Sequence, residues 1–167
     1  MIYSAPVLDA PLDQGDIIED CPIVLIADID PDLLDTPQMD CALNRVTVVT
    51  QTCDLSNQKA RFVIVAVVRN AQDLIEERLV KASDIRGPIR AGRVFGYYYL
   101  PKNVERDLPE MVVDFRQLHT VRLDILTALC RLGKRRARVQ PLYREHLARH
   151  FGDTYSRIGL PEPYDTE

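Results

Sequence analysis

Glycine is scarce in this chain: 7 of 167 residues, none of them grouped. The Gly-x-Gly-x-x-Gly turn that lets a backbone approach a pyrophosphate is missing, as is the Gly-rich loop ending in Lys-Ser/Thr that cradles nucleotide phosphates. The Gly-x-Ser-x-Gly elbow of serine hydrolases is missing too. Nucleotide-dependent and ordinary serine-hydrolase chemistry are thereby disfavoured, and no cofactor is expected. No apolar run approaches the roughly 18–20 residues that span a bilayer, so no membrane partner is expected. The start, Met1-Ile2-Tyr3-Ser4-Ala5-Pro6, has no basic segment leading into an apolar one; no secretory signal and a cytoplasmic location are the expectation. Four cysteines, Cys21, Cys41, Cys53 and Cys130, form no Cys-x-x-Cys pair, which points to reduced thiols. Internal repeats, heptads and low-complexity tracts are also absent.

What is present is enough for a core. Apolar residues make up 46% and charged residues 28%, the balance of a globular protein, and the length suits a single domain over 1–167. The formal charge of −4 conceals a split: residues 1–60 hold 2 basic and 11 acidic groups, whereas residues 61–167 hold 19 basic and 14 acidic. That excludes a uniform polycation and points to two different surfaces.

The first two-thirds of the chain read as short strands. An extended piece begins at Asp16 after the Gln14-Gly15 turn, and Pro22–Ala27 is an apolar run of strand length. An acidic loop with Asp28, Asp30, Asp32, Asp35 and Asp40, interrupted by Pro31 and Pro37, reaches to about Asn44. Arg45–Gln51 is rich in β-branched residues, and Arg61–Val68 is apolar without alternation, a strand covered on both faces. These two are expected to be antiparallel neighbours. A short helix is expected over 71–82, then strands at Val94–Leu100 and Met111–Phe115, the latter continuing through Gln117–Val121 around a bend. The period then changes. Val121, Ile125, Leu129 and Leu132 mark one helix face, with Thr120 as N-cap and Gly133 as the stop. Lys134–Arg138 reads as a basic connection, and Tyr143, Leu147, Phe151, Thr154 and Ile158 mark a second helix ended by Gly159 and Pro161. Strands followed by helices predict an α+β fold, and short strands that must avoid open edges predict a small, partly closed antiparallel β-barrel over 14–121 with a two-helix C-terminal extension over 122–160.

Four features bear on chemistry. His146 and His150 stand four apart on a helix, but Leu147 occupies the position where a zinc protease has Glu, and no third ligand is evident; a solvated helix face is the plainer reading, and no metal is expected. Cys53 follows a strand in a polar turn, with His119 the only histidine outside the last helix, so a Cys53–His119 pair is weighed against an ordinary small packed thiol. Cys130, within the helix, is structural. Arg131, Lys134, Arg135, Arg136 and Arg138 place five cations in eight residues, a surface for a phosphate backbone, with Tyr97 and Tyr99 available to stack on bases; a solvated linker and packing tyrosines are the alternatives. The acidic 28–40 stretch lacks the Gly and terminal Glu of a calcium loop and reads as a solvated loop.

The strand pair Arg45-Val46-Thr47-Val48-Val49-Thr50-Gln51 and Phe62-Val63-Ile64-Val65-Ala66-Val67-Val68 resembles that of the PemK/MazF-type toxins, with Gly15-Asp16-Ile17 standing for that family's early strand and Val113–Val121 for its late one. The resemblance covers about 14–132. It implies an SH3-like barrel, usually homodimeric, and a metal-independent endoribonuclease for single-stranded RNA, in which Arg45 stands at the catalytic Arg. The chain departs from the pattern where it matters: Val46 replaces the Pro after that Arg, and Arg69 replaces the strand-ending Thr. The leading expectation is a toxin-barrel-like module that binds RNA or a partner protein such as a small antitoxin, with catalysis lost or altered and Arg45, Arg69 and Thr52 lining the site beside His119. An active endoribonuclease using Arg45 or Arg69 with His119, and a non-enzymatic protein-binding adaptor or homo-oligomer, are the alternatives.

Overall fold

The computed structural model describes residues 1–56 and 60–156. It is α+β: a seven-stranded antiparallel sheet of order β1-β7-β2-β3-β4-β6-β5, with five α-helices among the described residues. The strands are β1 (Tyr3–Ser4), β2 (Asp16–Asp28), β3 (Gln38–Val48), β4 (Phe62–Asn70), β5 (Tyr97–Leu100), β6 (Met111–Arg122) and β7 (Arg135–Val139). The helices are α1 (Thr52–Ser56), α2 (Ala71–Glu76), α3 (Ala82–Asp84), α4 (Leu123–Arg131) and α5 (Pro141–Tyr155).

β4 has the predicted two-faced burial only from Val65 to Val68, because Phe62 and Ile64 at its start are exposed on one face. Val63 and Val65 pack with Ile18, Val46, Val48, Val121 and Leu126 on one side of the sheet. Ala66 and Val68 pack with Tyr3, Ile17, Phe115 and Leu147 on the other. A third cluster joins Leu74, Ile85 and Ile89 to Tyr97 and Val112. The sheet does not close by a hydrogen-bonded ladder. Its two edges nevertheless meet: Tyr3 of β1 donates its hydroxyl to the carbonyl of Pro101, just after β5, at 2.8 Å. Burial pushes the Tyr3 phenol well above its usual range.

Several expectations are corrected. The basic Lys134–Arg138 connection is largely strand: β7 lies between β1 and β2, with Asp16 opposite Arg138 and Ile17 opposite Ala137. The stretch beyond 121 is thus two helices and a sheet strand. Gly15 makes this junction feasible, because at φ +81° a Cβ there would sit 3.1 Å from the Val139 Cβ. Much of the predicted acidic loop is also strand, since β3 begins at Gln38 and pairs with β2 from Asp28↔Gln38 back to Ile17↔Thr47. Thr52–Ser56 is a short helix rather than a turn.

Helix α4 starts two residues later than predicted. Val121 belongs to β6, the residue before the helix is Arg122 rather than Thr120, and the buried face is Leu126 and Cys130, while Ile125 and Leu132 are exposed. Gly133, at φ +74°, does end it. In α5, Leu147 is buried and Phe151 packs on the core, as the stripe predicts, whereas Tyr143 at its start is exposed and His150, outside the stripe, is buried. Ile158, Gly159 and Pro161 lie outside the described residues. No helix among the described residues is long and apolar enough to cross a membrane.

Beyond its root, the β2–β3 hairpin leaves the sheet. β2 pairs with β7 only at Asp16–Ile18, and β3 pairs with β4 only at Val46–Val48. A bulge between Ile18 and Cys21, with Asp20 at φ +54°, marks the departure. From there Val24–Asp28 and Gln38–Leu43 form a two-stranded ribbon exposed throughout.

Candidate functional site

At the root of that ribbon lies an open pocket of about 400 Å³. Glu19, Asn44 and Arg45 line it from the hairpin, Val67–Asn70 from the end of β4, Asp73 from α2 and Gln117 from β6. Two of the expected site residues, Arg45 and Arg69, therefore share one cavity. The β2 bulge turns Glu19 toward Arg45, and the β4–α2 junction supplies Asn70.

The geometry is a chain of polar contacts. Arg45 Nε donates to Glu19 Oε1 at 2.7 Å and its Nη1 to Asn70 Oδ1 at 2.6 Å. Asn70 Nδ2 in turn donates to Asp73 Oδ2 at 2.9 Å. Arg69 pairs with the Glu77 carboxylate. Both guanidiniums are thus held by carboxylates, and the pocket carries no net positive charge. Gln117 at its wall donates to Asp114 at 3.1 Å. Burial alone would raise the Asp114 carboxyl, but hydrogen bonds from Arg116 and Gln117 bring it below the usual carboxylate range.

Thr52 and His119 are placed elsewhere. The Thr52 hydroxyl donates to Asp13. His119 lines a separate hollow of about 330 Å³ with Pro22, Val24, Phe62 and Ile125. Cys53 sits on exposed α1 with its Sγ 3.6 Å from Gln51 Oε1. Buried Cys21 and Cys130 have thiols pushed up by burial, as inert packing cysteines do.

The expected phosphate-binding residues divide. Arg135 and Arg138 converge on Asp16, which is fully buried: Arg135 Nη1 lies 3.1 Å from Oδ2, and Arg138 Nε lies 2.6 Å from Oδ1. Arg135 also donates to the carbonyls of Val7, Leu8, Ala10 and Pro11, which anchors the N-terminal segment. Lys134 pairs with Asp20, and Arg136 reaches the Arg106 carbonyl. Arg131 is exposed beside Thr127, at a hollow shared with Arg61 and Arg122. Tyr97 is buried with the Arg116 guanidinium 4.1 Å from its ring centroid, and Tyr99 donates to Glu110, so neither ring is a free stacking platform. The charge split is therefore partly internal: acidic loops and basic β7 neutralise one another within the fold.

The two helix histidines are packing groups. His150 is buried, with Nε2 3.1 Å from the Val94 carbonyl and rings of Tyr98 and Phe115 around it. His146 Nδ1 lies 3.3 Å from the Tyr98 hydroxyl. Among the described residues no group of three His, Cys, Asp or Glu is placed to hold a metal. Glu19 and Asn70 carry much of the pocket and stand out by no motif, Asn70 being signalled only by its place between an apolar strand and a helical stretch; Asp16 entered only within Gly15-Asp16-Ile17, with no role assigned to its carboxylate. Compared with known proteins, the chain matches no family model and no curated sequence.

Proposed function

We propose that the chain is a non-catalytic, cytoplasmic binding module on a PemK/MazF-type, SH3-like, partly closed barrel, and that its Arg45–Arg69 pocket takes a segment of a partner protein such as a small antitoxin. The observation that carries this reading is Arg45 held between Glu19 and Asn70. RNA cleavage without a metal needs a cation on the phosphate and a group beside it to move the 2′-OH proton. Here the cation is committed to a carboxylate, while Thr52 and His119 face other surroundings. A mixed pocket of arginines, carboxylates and amides repels a phosphate backbone as much as it attracts one. It suits a peptide, which offers N–H donors, carbonyls and side chains of both signs.

Metal-free incubation with single-stranded RNA, and binding titrated against salt, test the reading. Intact RNA and no salt-steep association are expected. Cleavage abolished by Arg45→Ala would replace this reading with the endoribonuclease. The positive arm is selection of displayed peptides on the wild-type protein, counter-selected on Arg45→Ala. Peptides that bind wild type at least tenfold more tightly than the variant are expected.

A further inference from the structure

The ribbon beyond the pocket poses a separate question, because an isolated two-stranded hairpin is marginal in water and open edges invite pairing. Its register sorts its side chains. Pro22 stands opposite Leu43, Val24 opposite Cys41 and Ile26 opposite Met39, so these six share one face. Ile23, Leu25 and Asp40 take the other. The six-residue face is wholly uncharged, and Val24, Ile26, Met39 and Leu43 are 58–66% exposed. Phe62, 54% exposed, borders it through the hollow it shares with Pro22 and Val24.

We propose that a second copy of this chain covers the face, ribbon packed on ribbon about a two-fold axis at the Val24–Cys41 pair. Three observations favour that occupant. An uncharged face is self-complementary, as an isologous contact requires. The area suffices: at on the order of 100 Å² for each large apolar side chain, the face with Phe62 and the tip residues Ile29, Leu33 and Leu34 brings roughly 800 Å² per copy, the size of a standard interface. The charges also match. The ribbon tip carries Asp28, Asp30, Asp32 and Asp35, all exposed. At the root, Arg61, Arg122 and Arg131 line a hollow of about 550 Å³. Arg122 pairs with Asp124, and among the described residues Arg61 and Arg131 make no ion pair. From Pro22 to Asp28 the ribbon extends about 20 Å. Antiparallel stacking about its middle therefore carries one copy's tip to the other's root. Leu33 and Leu34 then meet the Phe62 hollow, and the tip aspartates meet Arg61 and Arg131.

Sedimentation of the full chain tests this. A dimer is expected for wild type, with Ile26→Asp and Met39→Asp each raising the dimer dissociation constant at least a hundredfold. Leu25→Asp, on the opposite face, leaves it within threefold. Arg131→Glu weakens association about tenfold at low salt and less at high salt. Because the axis passes beside Cys41, a short bis-maleimide links two copies, and Cys41→Ser abolishes the link. Circular dichroism confirms that each variant is folded. A monomeric wild type, or a dimer indifferent to both face variants, overturns the proposal. Neither result touches the pocket reading, which falls on the RNA assay instead.

Discussion

Replacing Asp16 by alanine removes the fully buried carboxylate on which Arg135 and Arg138 converge. Asp16 is inaccessible to solvent, and the Arg135 side chain is 3% exposed. Arg138 contributes two further contacts, at 2.6 and 2.9 Å. Without the carboxylate, Arg135 keeps its four carbonyl acceptors but Arg138 keeps only Pro11 and the more distant Asp13. Arg135 would then sit without a counter-charge at the β2–β7 pairing, and Arg138 with only Asp13 at 3.6 Å. Breaking a buried pair on one side costs about 3–5 kcal/mol, because the remaining charge stays desolvated. For a chain of this length that lowers the melting temperature by roughly 10 °C. Urea unfolding followed by circular dichroism measures it. The reasoning also predicts an asymmetry: Asp16→Leu combined with Arg135→Leu and Arg138→Met, which removes all three charges, is less destabilising than Asp16→Ala alone. A loss below about 1 kcal/mol for Asp16→Ala would refute the view that this cluster ties the last strand to the sheet.

Alkaline titration gives a second expectation. Burial first, then the Glu110 hydrogen bond, pushes the Tyr99 phenol up to about 12, and burial pushes Tyr98 to about 12, from an ordinary value of 10.0. Raised folded-state values mean the protonated phenols favour the fold fully below pH 10 and progressively less as pH rises toward 12. Phenolate absorbance should therefore show these two ionising late, and unfolded protein ionising them near the ordinary value. Gly15→Ala places a Cβ against Val139 at a positive φ and should cost about 1–2 kcal/mol by urea unfolding. Phe115→Ala empties a site between His150 and Phe151 and should cost about 3–5 kcal/mol by the same measure.

How far the fold could be read in advance depends on whether each element's cause is local. β4 is legible as a strand because its unbroken run of β-branched and apolar residues is a local signal. The cover on both faces that the run implies holds only for Val65–Val68, since the neighbours that would cover Phe62 and Ile64 leave with the β2–β3 ribbon. Helix α5 is legible because Pro141 and an apolar stripe at three- and four-residue spacing are local signals. β7 is not. Arg135, Arg136 and Arg138 look like a solvated linker until Asp16, more than a hundred residues away, is placed opposite them. The distal part of β3, Gln38–Asn44, has little strand character of its own and is extended because β2 pairs with it. The same holds for the pocket. Arg45 and Arg69 came from resemblance to the toxin barrels, but Glu19 reaches Arg45 only through the bulge at Asp20, and a bulge leaves no mark in a period-2 pattern.

The acidic and basic halves of the chain thus meet in two ways that obey different physics. Asp13, Asp16 and Asp20 meet Arg138, Arg135, Arg144 and Lys134 inside one molecule. The buried Asp16 contacts lie beyond the reach of salt, whereas the Lys134–Asp20 pair is open to it. The tip aspartates have no such partner within the described residues and lie along an exposed ribbon. In the proposed pair their partners are the other copy's Arg61 and Arg131, at a solvated rim where attraction decays over about a Debye length. Added salt should therefore weaken association well before it weakens the fold. If unfolding and dissociation responded to salt in parallel, the tip could not be bound across the interface, because only a solvated contact between copies separates the two.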